Sequence, residues 1–193
     1  HYAGRLPNLE ITGIDCHIGS QLLDAAPFAE ALDKLLLLID QLAEQGITLH
    51  HIDLGGGLGI RYQEEAAPTV KSYLQPLLHK LKDRKLKVLV EPGRRLVGNA
   101  GALLTRVEYL KPGEVKNFAV IDAAMNDLAR PALYDAWHTI VPVKPRQVTP
   151  STWQIVGPIC ESGDFLGHDR ELALEPEHRR DPRRERVFLV GLV

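Results

Sequence analysis

The sequence predicts an α/β protein whose character changes near residue 100, from a parallel α/β region to a mostly β region. Three observations carry this expectation. Apolar strand-like runs alternate with helical ones over residues 9–100. Each of the three strand-like runs ends in glycine, histidine or charge, and beyond residue 100 short apolar runs follow one another between turn residues.

In chain order, "LEITGIDC" (9–16) reads as a strand ending at His17. Asp24 then reads as an N-cap, with Pro27 in the first turn and Gly46 as the C′ stop of a helix. Between them Phe28, Leu32, Leu35, Leu36, Ile39, Leu42 and Ala43 recur on one face at helical spacing. "ITLHHIDL" (47–54) reads as a second strand running into Gly55-Gly56-Gly57. A second helix is expected over 68–84, with a kink at Pro76. "LKVLV" (86–90) reads as a third strand ending at Glu91-Pro92-Gly93-Arg94. Strand–helix–strand–helix–strand implies parallel strands with right-handed crossovers, and three such strands read as a piece of a larger α/β sheet or barrel.

After residue 100, 101–111 and 115–122 read as strands joined by Lys111-Pro112-Gly113, with a short helix near 127–136. "HTIVPVK" and "TWQIVGP" are further strand candidates. The expected organisation is an α/β region over 1–100, a β-rich region over 101–174, and a tail over 175–193 that is first basic and then apolar.

The chain has 193 residues, a net charge of −2 and 25% charged residues. This balance points to neither nucleic acid nor an anionic membrane. No apolar run is long enough to span a bilayer, no secretory signal is evident, and Cys16 and Cys160 make no disulfide framework. A reduced, cytoplasmic protein is the expectation.

The C-terminal edges of parallel strands are where barrels and open α/β sheets carry their chemistry. Here that edge collects His17-Ile18-Gly19-Ser20, the glycine triplet, and Glu91 through Arg94. Singly each has a bland reading: a structural histidine, a tight turn, a local ion pair. His50 and His51 read as packing or solvent residues, and no His, Cys or carboxylate spacing fits a zinc motif. Together, a phosphate cradle, an imidazole and a carboxylate on one rim point to a phosphate-bearing cofactor or substrate.

Five segments, "GIDCHIGSQ", "DLGGGLG", "EPGR", "DAAMNDLARPALYDAWH" and "GPICESGDFLG", carry a family resemblance. In order and context, over about residues 1–174, they resemble the diaminopimelate decarboxylases. These are fold-type III pyridoxal-phosphate decarboxylases related to ornithine decarboxylase and alanine racemase. The resemblance implies the C-terminal part of a (β/α)8 TIM-type barrel followed by part of a β-barrel or sandwich domain. It further implies pyridoxal 5′-phosphate as cofactor and decarboxylation of meso-2,6-diaminopimelate to L-lysine. The partners it implies are a small amino-acid substrate and a second copy of the chain in a homodimer with shared active sites, with no nucleic acid and no membrane.

The resemblance also assigns roles. Gly55, Gly56, Gly57, Gly93 and Ser20 would hold the cofactor phosphate, His17 would face its ring, and Glu91 would bond the ring nitrogen. Arg94, Arg130 and Tyr134 resemble substrate residues suited to a distal carboxylate, and Glu161 would pair with the distal ammonium. Cys160 resembles the general acid that returns a proton to the substrate carbon, a task suited to a thiol of ordinary pKa about 8.5. Cys16 reads as a small apolar residue.

Two departures from the family qualify these roles. Its Schiff-base lysine belongs to a motif upstream of anything in this sequence, so an incomplete copy is expected. The tail after residue 174 has three readings, a disordered basic segment, a nucleic-acid contact and the product of a shifted frame or degraded end, and the last is the expectation. Three other readings stay open: a decarboxylase of another diamine or basic amino acid, a non-catalytic binding remnant, and a phosphate-binding barrel enzyme without this cofactor.

Overall fold

The computed structural model describes residues 2–144 and 147–174, and the backbone of 187–191. The chain forms two compact units, His1–Gly98 and Asn99–Val193.

In the first unit β1 (Gly13–Asp15), β2 (His51–Asp53) and β3 (Lys87–Leu89) form a parallel sheet in that order. The ladders are shorter than the apolar runs that predict them. Flanking hydrogen bonds extend them, Cys16 N–H donating to the Asp53 carbonyl at 3.1 Å and Leu54 N–H to that of Leu89 at 3.0 Å. Register sets Ile14, Ile52 and Val88 side by side on one face. Side chains alternate across a strand, so Gly13 and Asp15, His51 and Asp53, Lys87 and Leu89 share the other face.

The Ile52 face is covered by α1 (Ala26–Glu44) and α2 (Val70–Leu81). Phe28, Leu32, Leu35 and Ile39 of α1 meet Tyr73, Leu77 and Leu81 of α2 over Leu49, Ile52, Leu54 and Leu58. Phe28 and Tyr73 pack edge to face with centroids 4.7 Å apart. Burial raises the Tyr73 pKa above its ordinary value, with the Asp53 charge adding to the effect.

The ends of α1 show one shift and one agreement with sequence. The N-cap is Ala25, not Asp24; the Asp24 carboxylate instead accepts from Ala26 N–H at 2.9 Å, because the turn begins one residue later. At the other end Gly46 has φ +80°, its N–H donates to Ala43 O, and Ile47 N–H donates to Leu42 O at 2.9 Å. That pair of bonds is a Schellman motif, and it needs the positive φ that glycine adopts without strain. In α2, Thr69 Oγ1 caps by accepting from Ser72 N–H at 3.0 Å, and the helix continues through Pro76. Lys80 and Arg84 pair with Asp33 and Asp40 of α1 on the surface, and the hydrogen bond from Arg84 holds the Asp40 carboxyl below its ordinary pKa. A short helix, α3 (Gly93–Val97), follows β3.

The second unit is a six-stranded sheet with a short helix, α4 (Arg130–Tyr134). Its strands are β4 (Ala102–Lys111), β5 (Asn117–Ile121), β6 (Ile140–Pro142), β7 (Ser151–Val156), β8 (Phe165–Leu172) and β9 (Val187–Gly191), in the order β6-β9-β4-β5-β7-β8. The pairs are antiparallel except β5–β7, whose parallel crossover contains α4 and β6. Val107, Leu110, Ala119, Ile121, Trp153, Ile155, Leu166 and Leu172 form the centre of its core.

Two features of this unit differ from the sequence reading. β8 is a strand although "GHDRE" carries four polar residues, because Arg170 is only 6% exposed and its guanidinium lies 3.2 Å over the Trp137 ring. Burial pushes the Arg170 pKa down to about 10. Within the tail, 187–191 pair as β9 with β4 and β6. The remainder of 175–193, where the shifted-frame reading falls, lies outside the described residues.

Candidate functional site

The three strand ends of the first unit are stitched into one rim. The His17 ring accepts at Nδ1 from Gly56 N–H at 3.1 Å. In the neutral imidazole this leaves the proton on Nε2. Glu91 N–H donates to Gly55 O at 2.8 Å, and Leu22 N–H to Gly57 O at 2.8 Å.

The triplet must be glycine for reasons of space and conformation. A methyl on Gly55 would lie 2.6 Å from the Cys16 carbonyl oxygen, one on Gly56 would strike the Glu91 carbonyl, and one on Gly57 that of Gly19. Gly55 and Gly57 have φ of +65° and +97°. Strand ends this close leave no room for a side chain, so the rim presents backbone to whatever sits above it.

Backbone donors are fewer than a triplet suggests. Gly55 N–H is taken by Asp53 Oδ1 at 2.9 Å and Gly56 N–H by His17. Of the other rim groups, Gly57 and Arg94 are half-buried and Ser20 is exposed. Gly93, exposed at the start of α3, spends its N–H on the Glu91 carbonyl at 2.8 Å.

Sequence reading missed two carboxylates on the same rim. Asp15 and Asp53 are register partners at the ends of β1 and β2, and with Glu91 they place oxygens within 4.8 Å of one another. The signal was present: each stands two residues before a chosen rim residue, Asp15 before His17 and Asp53 before Gly55, so both fall on the face opposite Ile52. The rim thus has a negative pole at these carboxylates and a cationic group at Arg94. A protonated ring nitrogen with a phosphate on the same molecule matches that donor set.

In the second unit, Arg130 opens α4 and is half-buried, and Tyr134 ends it, 73% exposed. Asp135, at φ +50°, stops the helix. Cys160 and Glu161 are both exposed on the loop between β7 and β8. That loop closes on Asp164, 3% exposed, whose carboxylate accepts from Ile159 N–H at 2.9 Å and from Met125 N–H at 2.7 Å. Glu161 Oε1 accepts from Gly163 N–H at 3.0 Å and from the Ser162 hydroxyl, and these bonds, the Gly163 amide first, keep its carboxyl below its ordinary pKa. Glu161 therefore stands as an exposed anion beside a free thiol. Cys16 is half-buried against the α1–α2 core.

A parallel sheet backed by helices thus carries a glycine rim between a histidine and a carboxylate. Residues 1–98 match the family described as pyridoxal-dependent decarboxylase, pyridoxal binding domain, and the chain belongs to that family, for which pyridoxal phosphate is the cofactor. Over 174 residues the chain is 59% identical to diaminopimelate decarboxylase of Neisseria meningitidis serogroup A, covering 90% of this chain and 43% of that relative. Among solved structures, an Aquifex aeolicus protein, AQ1208, matches with a TM-score of 0.88 and 43% identity, covering 99% of this chain and 46% of its own. Diaminopimelate decarboxylase of Helicobacter pylori complexed with L-lysine matches with a TM-score of 0.84 and 37% identity, over 100% of this chain and 46% of its own. The chain therefore spans less than half the length of these relatives. Among the described residues, no helix is long and apolar enough to cross a membrane.

Proposed function

We propose that this chain serves in a diaminopimelate decarboxylase, which converts meso-2,6-diaminopimelate to L-lysine and carbon dioxide in the cytoplasm. Its first unit would be the C-terminal part of a (β/α)8 barrel, and its second part of a β domain. The observation that carries the reading is the rim itself: His17, the triplet and Glu91 are joined by hydrogen bonds that any side chain on the triplet would break. High identity to diaminopimelate decarboxylases supports it.

Pyridoxal phosphate, when bound, supplies an electron sink for the pair of electrons freed as carbon dioxide leaves. The chain's own residues divide the remaining work. Glu91, with Asp15 and Asp53 close by, would favour a protonated ring nitrogen by attraction. The Gly57 amide, with the other triplet glycines shaping the loop, the Ser20 hydroxyl and Arg94 would hold the phosphate, and His17 would face the ring; Gly93, whose N–H is taken by the Glu91 carbonyl, would shape the turn beneath them. Arg130 and Tyr134, with Arg94, orient the substrate's distal carboxylate, and Glu161 takes its distal ammonium. Cys160 delivers a proton to the substrate carbon that lost its carboxylate. An exposed Cys160–Glu161 pair fits a loop offered to a second copy of the chain, so a homodimer is part of the proposal.

The test is equilibrium binding of pyridoxal phosphate to the full chain with inorganic phosphate as competitor. A parallel assay follows carbon dioxide release from meso-diaminopimelate and from ornithine. Phosphate-competed binding, with any release confined to diaminopimelate, is expected. Binding that phosphate does not displace, or release from ornithine, would overturn the reading.

A further inference from the structure

Gln21 joins all three strand-end segments of the rim through one side chain. It adopts a left-handed conformation, φ +56°, which a non-glycine residue adopts at some cost. Its amide Nε2 donates to the Ile60 carbonyl at 2.5 Å, and its Oε1 accepts from Ile60 N–H at 3.1 Å. The same Oε1 accepts from Arg94 Nη1 at 3.1 Å. Alongside, Gly59 N–H donates to Leu22 O at 2.9 Å, so the chain beyond Gln21 runs against the loop that follows the glycine triplet.

The two bonds to Ile60 fix which way the amide points. Ile60 is 1% exposed, and its backbone offers one donor and one acceptor that need partners. Only one orientation of the amide satisfies both, and it turns the oxygen towards Arg94. Arg94 is thereby held by a neutral acceptor. Among the described residues no carboxylate pairs with it. Glutamate at position 21 would reach as far, but it would offer no donor to the Ile60 carbonyl and would neutralise the guanidinium.

We propose that Gln21 is a positioning residue that aims the Arg94 guanidinium at the rim while leaving its charge for an anionic oxygen group of the ligand. This rests on the proposed pyridoxal-phosphate site. The anion is a phosphate on the cofactor or a carboxylate on the substrate, and the probes separate the two.

The experiment measures binding of pyridoxine 5′-phosphate and of pyridoxine to the full chain; neither has an aldehyde to react with lysines. L-lysine, titrated separately, is the carboxylate probe. The variants are Gln21→Glu, Arg94→Gln and the double variant, read as a double-mutant cycle. Wild-type chain is expected to favour the phosphorylated probe. Gln21→Glu is expected to weaken that probe at least tenfold and pyridoxine less than twofold, with no further loss from Gln21→Glu once Arg94 is glutamine. A tenfold loss for L-lysine instead, still abolished in the double variant, assigns the anion to the substrate and keeps the proposal.

Unchanged affinity for both anionic probes in Gln21→Glu, or losses that add in the double variant, would reduce Gln21 to a structural brace and overturn the proposal. Wild-type chain that binds the two pyridoxine probes equally and L-lysine not at all would overturn the proposed function, and the inference with it. If Gln21→Glu does not fold, Gln21→Asn, which retracts the amide by one methylene, is read in the same cycle with the same two outcomes.

Discussion

Gly55 to Gly57 in the first unit and Asp164 in the second hold their loops by opposite means. The glycine loop is shaped by the absence of side chains: its neighbours' carbonyls occupy the places where Cβ atoms would stand. The cysteine loop is shaped by one side chain, a buried carboxylate that gathers amides from two segments. The first arrangement presents backbone and tolerates almost no change. The second pins the backbone of the loop and leaves the side chains of Cys160 and Glu161 exposed, Glu161 tied only to its neighbours Ser162 and Gly163.

Substitutions can break or sharpen this contrast, and the largest effect is expected at Gly57. Gly57→Ala combines a φ of +97° with a collision at the Gly19 carbonyl, and should cost at least about 3 kcal/mol in urea denaturation. Gly93→Ala is its control: a methyl there meets nothing within 4 Å, so a change within about 0.5 kcal/mol is expected. Equal costs at the two positions would end the claim that the rim is sterically closed.

Next comes Asp164→Ala, expected to cost about 2–3 kcal/mol because two amides lose their acceptor. Asp164→Asn keeps one carbonyl oxygen and should cost roughly half as much. Thr69→Ala, at a helix cap away from both loops, calibrates the scale at about 1 kcal/mol by thermal unfolding.

The smallest expected effect is on the acid limb of stability. Asp122 accepts from Arg106 N–H and from the Thr105 hydroxyl, both at 2.7 Å, and these bonds, the Arg106 amide first, lower its pKa from the ordinary 3.8. A depressed carboxyl contributes stability that is present above the unfolded pKa and is lost as pH falls through the folded one. Stability should therefore decline below about pH 4, and Asp122→Asn should flatten that decline in pH-dependent denaturation.

Much of the first unit was legible because its signals are local. The apolar stripe of α1 and the glycine at position 46 specify helix and stop without reference to distant residues. The rim was legible in outline, since glycine runs and charge at strand ends are visible in sequence. Its pairwise detail was not. That Gly56 N–H serves His17, and that Asp15 and Asp53 stand beside Glu91, depends on register between strands far apart in sequence. β8 was hidden because a strand containing His168, Asp169, Arg170 and Glu171 reads as solvated, whereas in the fold Arg170 is buried with its guanidinium over the Trp137 ring.

The spacing of the strands has a kinetic consequence. The β1–β2 and β2–β3 pairs each close a loop of roughly 37 residues, whereas the β4–β5 hairpin turns within a few residues. Closing the longer loops costs more chain entropy before any contact rewards it, so the parallel sheet should form after the hairpin. The glycine rim exists only once all three parallel strands are side by side. A ligand for that rim meets it late in folding, and acts by slowing its loss rather than by guiding its assembly.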